Sequence, residues 1–504
     1  MDRSALRRAD AELSDHCHDR YTIAPDVSDP SSRSESLLRA DPCSLTAAEL
    51  LALYRAKKLS PVEATRAVLE RIERLNPVLN AFCLVDAEAA IASATESERR
   101  WMKGAPIGLL DGVPVSIKDL ILTRGWPTLR GSKTIDPKGP WDDDAPAVAR
   151  LREAGAVLLG KTTTPEFGWK GVTDSPLTGI TRNPWNRAKT PGGSSGGAAA
   201  AVASGMGPLA VGTDGGGSIR IPCAFTGLFG IKPTFGRVPA WPPSPMGTVA
   251  HVGPIAKSVV DAALMLGVMS RPDSRDWTAL PYDGGDYREG LEDGVRGLRI
   301  AYSANLGYAR VDREVAEIVK KAVRTFDDLG AKVEERDPGF EDPQETFSRH
   351  WFPGAALALR GVPPKKRALM DKGLREIARR GERITALEHF EAAQKRNELG
   401  LVMSRFHERY DLLVTPTLAV AAFDVGREAP KNAQGWVSWT PFTFPFNLTQ
   451  QPAASIPCGL TRTGLPVGLH IIGPRYAEAR VLRAARAFEA AHPLAMPDLS
   501  RLAK

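Results

Sequence analysis

The sequence predicts an α/β protein. Three observations carry this: two capped helices early in the chain, a short alternating strand at 112–120, and a helix–glycine–strand passage at 142–160. Thr46 with Glu49, and Ser60 with Pro61 and Glu63, form capping boxes, in which a hydroxyl and a carboxylate three residues on satisfy each other's backbone N–H groups. In PVEATRAVLERIERL, Val62, Thr65, Val68, Leu69, Ile72 and Leu75 recur at helical spacing, so this helix faces a core. In GVPVSIKDL, Val113, Val115 and Ile117 alternate with Pro114, Ser116 and Lys118. That is the period of a strand, and it sets Lys118 on the face opposite the valines.

The next passage poses a test. GAVLLGKT, residues 155–162, fits the G-x-x-x-x-G-K-T pattern of a nucleotide-binding P-loop. A P-loop needs a strand before its first glycine, an open loop between the glycines and a helix after Lys-Thr. Here the order is reversed. DDDAPAVARLREAG, 142–155, reads as a helix with an acidic start and Gly155 as its stop. Ala-Val-Leu-Leu then reads as a buried strand, not as bare amides around a phosphate. Further on, LRIAYS (298–303) reads as a strand, and REVAEIVKKAVRTFDDLGAKVEE as a helix and then a strand. The stretch 340–410 reads as helical, with Phe347, Trp351, Phe352 and Leu357 in its first part, the aromatics among them read as core.

Composition bounds the function classes. Of 504 residues, 25% are charged and 43% hydrophobic, the profile of a soluble globular protein. The net charge of +7 is spread among acidic residues, without a basic stripe, so nucleic acid is not an expected partner. Cys17, Cys43, Cys83, Cys223 and Cys458 are odd in number and widely spaced, which suits a reduced, cytoplasmic protein. The start of the chain lacks a signal-peptide apolar region, and no run of about 18 apolar residues suggests a membrane span. Residues 1–43 are polar and read as an N-terminal extension, with 44–495 as the main domain. His16-Cys17-His18 is the one hint of a metal and has no second ligand cluster. No metal and no cofactor are expected.

Two glycine-serine stretches carry the chemistry. TPGGSSGGAAAAVASGMG, 190–207, leads a turn into an Ala-rich helix, and Gly193–Gly197 matches G-x-S-x-G. A nucleophile elbow of that type needs an apolar strand before it, whereas TRNPWNRAKT is polar, and His470 is a lone downstream triad candidate. LAVGTDGGGSIRIPCAFTG, 209–227, ends a strand and turns through Gly215, Gly216 and Gly217. Consecutive N–H groups in such a turn can converge on one point, which an oxyanion hole requires. Ser218 ends the turn, and Asp214 and Arg220 flank it as a pair that could brace the loop.

Taken together, these stretches resemble the amidase signature family. The marks are GVPVSIKDL, GAVLLGKTTTPEFG, the GGSSGG block, GTDGGGSIRIPCAFTGLFGIKPT, HVGPIAKSVVDAALML, and FTFPFNLTQQPAASIPCGL with GLPVGLHIIGP. They run over about residues 45–490. The resemblance implies a single α/β domain with a central mixed sheet surrounded by helices. It implies a Ser-cisSer-Lys hydrolase, with Ser218 as nucleophile, Ser194 after a cis peptide from Gly193 as the bridging serine, and Lys118 as base. Such a lysine must be neutral, which burial favours. The N–H groups around Gly215, Gly216 and Gly217 would hold the oxyanion, at about 3 kcal/mol per donor. Ser195 is expected beside the triad, either tuning it or capping the Ala-rich helix, and Asp214 with Arg220 behind it. Thr173, Asp174 and Gln450 are candidates for the substrate pocket. Gln450 and Gln451 stand where the family often has a small residue, and His470 where glutamine is common, so the pocket departs from the usual shape. The expected partner is a small-molecule amide, anilide, carbamate or ester, with a homodimer as the candidate assembly. Two alternatives stay open: the amidotransferase component that forms glutamine on glutamyl-tRNA by way of glutaminase chemistry, and a catalytically inert binding member of the family.

Overall fold

The computed structural model describes residues 40–502, apart from 432 and 494–495. The His16-Cys17-His18 triplet and almost all of the N-terminal extension lie outside these residues. Residues 41–43 pack on the main body: Cys43 is buried, and its carbonyl accepts from Lys257 Nζ. At the other end, the turn Leu499–Leu502 belongs to the body as well, with Leu502 in its core.

Eleven strands form one sheet. In chain order they are β1 Phe82–Val85, β2 Pro114–Lys118, β3 Val157–Thr162, β4 Leu209–Asp214, β5 Phe229–Lys232, β6 His251–Ala256, β7 Arg299–Tyr302, β8 Lys332–Glu335, β9 Leu412–Pro416, β10 Ala453–Leu460 and β11 Pro466–Ile472. Across the sheet the order is β1-β3-β2-β4-β6-β5-β10-β11-β9-β7-β8. The β2 strand lies parallel to β3 and β4, whereas β6 and β10 pair antiparallel with their neighbours, so the sheet is mixed. Every residue of β2, β3 and β9 is buried, as strands covered on both faces must be.

The helices follow the expected signals. Helices α1 (Ala47–Arg55) and α2 (Pro61–Leu79) open with the capping boxes at Thr46 and Ser60. After α3 (Ala87–Met102), α4 spans Pro146–Glu153. It starts later than the acidic run suggests, because Pro146 sets the first turn and Asp144 instead accepts from Arg124 and Arg152. Gly155, at φ +80°, ends that passage and β3 follows. Thus Lys161 of the P-loop look-alike lies inside a buried strand. The segment 340–410 is helical over Gln344–Arg360, Lys372–Glu382 and Ala386–Arg409. Phe347, Trp351 and Phe352 are buried there, as expected of its aromatics, whereas Leu357 is exposed. Among the described residues no helix is long and apolar enough to cross a membrane.

Candidate active site

The site forms where β2 and β4 end side by side. Helix α5 (Gly196–Ala203) is buried along its whole length and packs on these strands. Its small residues permit that approach: a Cβ on Gly197 would meet Thr163 Oγ1 at 2.3 Å. The turn before α5 therefore presents Ser194 and Ser195 directly to the end of β2. The Gly193–Ser194 peptide is cis, as expected.

Lys118 is fully buried at that strand end. Its Nζ lies 2.7 Å from Ser194 Oγ, 2.9 Å from Ser195 Oγ and 2.8 Å from Thr213 Oγ1. No carboxylate makes an ion pair with it among the described residues. Burial pushes its pKa well below the ordinary value, with the distant charge of Asp214 opposing in part. A neutral amine has two N–H groups and one lone pair. Ser195 donates its own proton to the Thr213 carbonyl at 3.2 Å, so toward Lys118 it acts as an acceptor. If Thr213 Oγ1 takes the second N–H, the lone pair is left for Ser194. The N-cap alternative for Ser195 does not hold: it stands at that position of α5, but its side chain makes no capping bond.

Ser218 follows β4 at the end of the glycine turn and opens helix α6 (Arg220–Thr226). Ser218 and Ser194 line the same cavity. No hydrogen bond joins their side chains among the described residues, a spacing common in enzymes without substrate. The turn itself is held by Asp214. Its carboxylate accepts from Gly217 N at 2.8 Å and Ile219 N at 3.1 Å, and pairs with Arg220 at 2.9 and 3.0 Å. This corrects one expectation: the Gly217 N–H is spent on Asp214 and cannot serve an oxyanion. The N–H groups of Gly215, Gly216 and Ser218 have no partner among the described residues. Glycine is required here sterically, since a Cβ would meet Trp351 at Gly215 (2.6 Å) and Phe347 at Gly216 (2.8 Å).

Burial raises the Asp214 pKa, but the charge and hydrogen bonds of Arg220, with help from Asn447, outweigh it and hold the carboxyl far below its usual range. Arg220 further donates to Asn447 Oδ1 at 2.6 Å and meets His470 Nε2 at 3.1 Å. Burial, then repulsion by Arg220, keeps His470 neutral. His470 thus braces the Asp214–Arg220 pair and is not a triad histidine.

The cavity has a volume of about 390 Å³ and is walled mainly by apolar side chains, among them Phe167, Phe235, Trp241, Met246 and Trp351. Three expected pocket residues take other places. Thr173 bonds the Gly192 carbonyl and the Gly196 N–H, which fixes the turn into α5. Asp174 pairs with Lys170. Gln450 donates to the Thr248 carbonyl from outside the lining. The sequence reading missed Thr213, Asn447 and the Pro-rich segment 239–245. Thr213 had a local signal, since it lies one residue before Asp214 at the end of β4. Asn447 had none, being brought in from more than 200 residues away.

A buried amine among hydroxyls, its pKa pushed down by burial, beside a serine at a glycine turn, is the constellation of a hydrolase that works through a serine hydroxyl. The amidase family profile matches residues 63–482. The chain is 40% identical over 468 residues to an acylamidase of Rhodococcus erythropolis, covering 90% of this chain and 96% of that one. A bacterial aryl acylamidase of the amidase signature family superposes with a TM-score of 0.84 at 34% identity, over 91% of this chain and 97% of that one. A 6-aminohexanoate cyclic dimer hydrolase superposes at 0.83 with 29% identity, over 91% and 100%. The chain belongs to the amidase signature family. It is a hydrolase of carbon–nitrogen bonds in linear amides.

Proposed function

We propose that this amidase cleaves amides with an apolar acyl or aryl portion, with Ser218 as nucleophile, Ser194 as relay and Lys118 as base. The observation that carries the catalytic assignment is Lys118 itself: fully buried, ringed by three hydroxyls and free of an ion pair among the described residues. Ser194 gives its proton to the Lys118 lone pair and takes the proton of Ser218. Ser218 Oγ then attacks the amide carbon, and the carbonyl oxygen gathers charge beside the N–H groups of Gly215, Gly216 and Ser218. Run backwards, the relay protonates the leaving nitrogen, which an amide requires because an amide anion leaves poorly. Water repeats the sequence on the acyl-enzyme and releases the acid.

The apolar wall of the cavity supports the substrate class, as does the likeness to an aryl acylamidase. A glutaminase would need a free carboxylate for the substrate ammonium. Asp276, the one acidic residue on the wall among the described residues, instead accepts from the backbone N–H groups of Ala240 and Thr278. The protein is read as working without partner proteins, in the cytoplasm. Amine release from a panel of anilides, aliphatic amides and carbamates, with Ser218→Ala beside the wild type, tests the reading. Ser218→Ala should lower kcat at least 1,000-fold, on the order expected for loss of a nucleophile. A fully active Ser218→Ala protein would transfer the role to another serine.

A further inference from the structure

We propose that Arg130 is a specificity determinant that binds a carboxylate carried by the amide substrate. The inference rests on the reading above that this cavity receives the substrate.

Arg130 lines the cavity together with Ser194 and Ser218. Among the described residues three charged side chains reach that wall, and they differ in how they are satisfied. Arg275 forms a two-pronged pair with Asp273, at 2.9 and 2.7 Å, and lies 4.9 Å from the ring centre of Trp241. Asp276 caps its own loop. The Arg130 guanidinium has no hydrogen-bond or ion-pair partner among the described residues.

The carboxylate nearest in charge to it, Asp119, is spent elsewhere. Asp119 accepts from the N–H groups of Leu129 and Gly131, each at 3.2 Å, and lies 3.8 Å from Lys161 Nζ. These bonds pin the backbone on both sides of Arg130, and the Arg130 carbonyl accepts from Phe167 N at 2.8 Å. Arg130 is held at φ +55°, a conformation that L side chains other than Asn and Asp rarely adopt. The result is a half-buried arginine on a backbone held on both sides, at the wall of a largely apolar cavity. Its desolvation lowers its pKa, with Asp119 offsetting only part. Lys161 already balances Asp119, so the positive charge of Arg130 is in surplus.

An unpaired guanidinium in apolar surroundings is costly, and a planar carboxylate answers both its charge and its fork of donors. The favoured substrate is therefore an amide with an apolar body and a carboxylate on one of its two halves.

The test compares matched pairs of anilides. In one pair the charge is on the amine half: N-hexanoyl-4-aminobenzoate against N-hexanoyl-4-methylaniline. In the other it is on the acyl half: the monoanilide of adipic acid against hexananilide. For at least one pair, the ratio of kcat/KM, anionic over neutral, should fall about 10- to 100-fold in Arg130→Gln and be largely kept in Arg130→Lys. Unchanged ratios in both pairs overturn the proposal. A second measurement does not depend on turnover. Calorimetric binding of 4-butylbenzoate to the Ser218→Ala protein should weaken at least tenfold when Arg130→Gln is added, and an unaltered affinity overturns the proposal. If wild type cleaves none of the anilides, the apolar-amide reading fails, while the benzoate measurement still decides the role of Arg130.

Discussion

Two lysines end neighbouring strands and meet opposite fates. Lys118 closes β2 and Lys161 lies one residue from the end of β3, where the register pairs Ile117 with Lys161 and Lys118 with Thr162. Paired residues share a face and successive residues alternate, so the two ammonium-bearing chains leave opposite sides of the sheet. Both are fully buried. Lys118 meets three hydroxyls. Lys161 meets the Ile121 carbonyl at 2.6 Å, Thr128 Oγ1 at 2.8 Å and the Asp119 carboxylate at 3.8 Å. Burial lowers the Lys161 pKa and the Asp119 carboxylate opposes it in part, leaving it at about 8. At neutral pH it remains an ion, and it anchors the segment 119–131. Lys118 has no such counter-charge at hand, and burial holds its pKa well below the ordinary lysine value. A lysine in a core is thus a brace or a base according to whether a carboxylate accompanies it.

The sharpest way to break this contrast is Lys118→Met. It should lower kcat by about 1,000-fold or more, as loss of the general base does, while thermal unfolding shows the fold intact or more stable. The sign follows from linkage: a lysine held below its unfolded pKa costs stability at every pH below about 10.5. A large drop in Tm for Lys118→Met would mean that it is a structural ion after all.

Lys161→Met should do the reverse. The lowered pKa of Lys161 is itself a cost to stability, but removing it strands the buried Asp119 carboxylate, and breaking a buried pair in this way costs about 3–5 kcal/mol, read in denaturant unfolding. Adding Asp119→Asn should recover part of that loss. A neutral Lys161→Met would show that the pair contributes nothing to the fold.

The pH profile sharpens the same contrast. kcat/KM should fall as pH drops through the lowered pKa of Lys118 and stay flat above it, up to the pH where the protein unfolds. A rise that comes only near pH 10 would place Lys118 at its ordinary value. The smallest effect is expected for Ser195→Ala. Losing one acceptor frees a Lys118 N–H and blurs the aim of its lone pair, for a fall in kcat of about tenfold with KM little changed. A change confined to KM would assign Ser195 to substrate binding.

Much of this was legible in the chain. The capping boxes at Thr46 and Ser60 and the strand ending in Lys118 are local patterns, written in residues a few positions apart. The glycine-serine stretches placed Ser194 and Ser195 on a turn before a helix and Ser218 at the end of a glycine turn, and the charges of Asp214 and Arg220, six positions apart, suggested their pairing. Other readings failed where the folded geometry gave a group a different partner. Gly217 lost its role because Asp214 takes its N–H. Thr173 and Asp174 were drawn toward α5 and Lys170, away from the cavity. His470, a lone triad candidate that the sequence already argued against, is enclosed by Arg220 and the core.

The sequence by itself therefore determined the element types and the turn chemistry, because spacing along the chain decides which backbone groups and side chains meet locally, while the candidate triad followed from the likeness of its motifs to the amidase signature family. Only the tertiary structure decided which lysine is neutral, which N–H groups are free and which arginine on the cavity wall lacks a partner. Those properties depend on desolvation and on charges contributed by strands and loops far apart in the chain, and no local pattern encodes the sum.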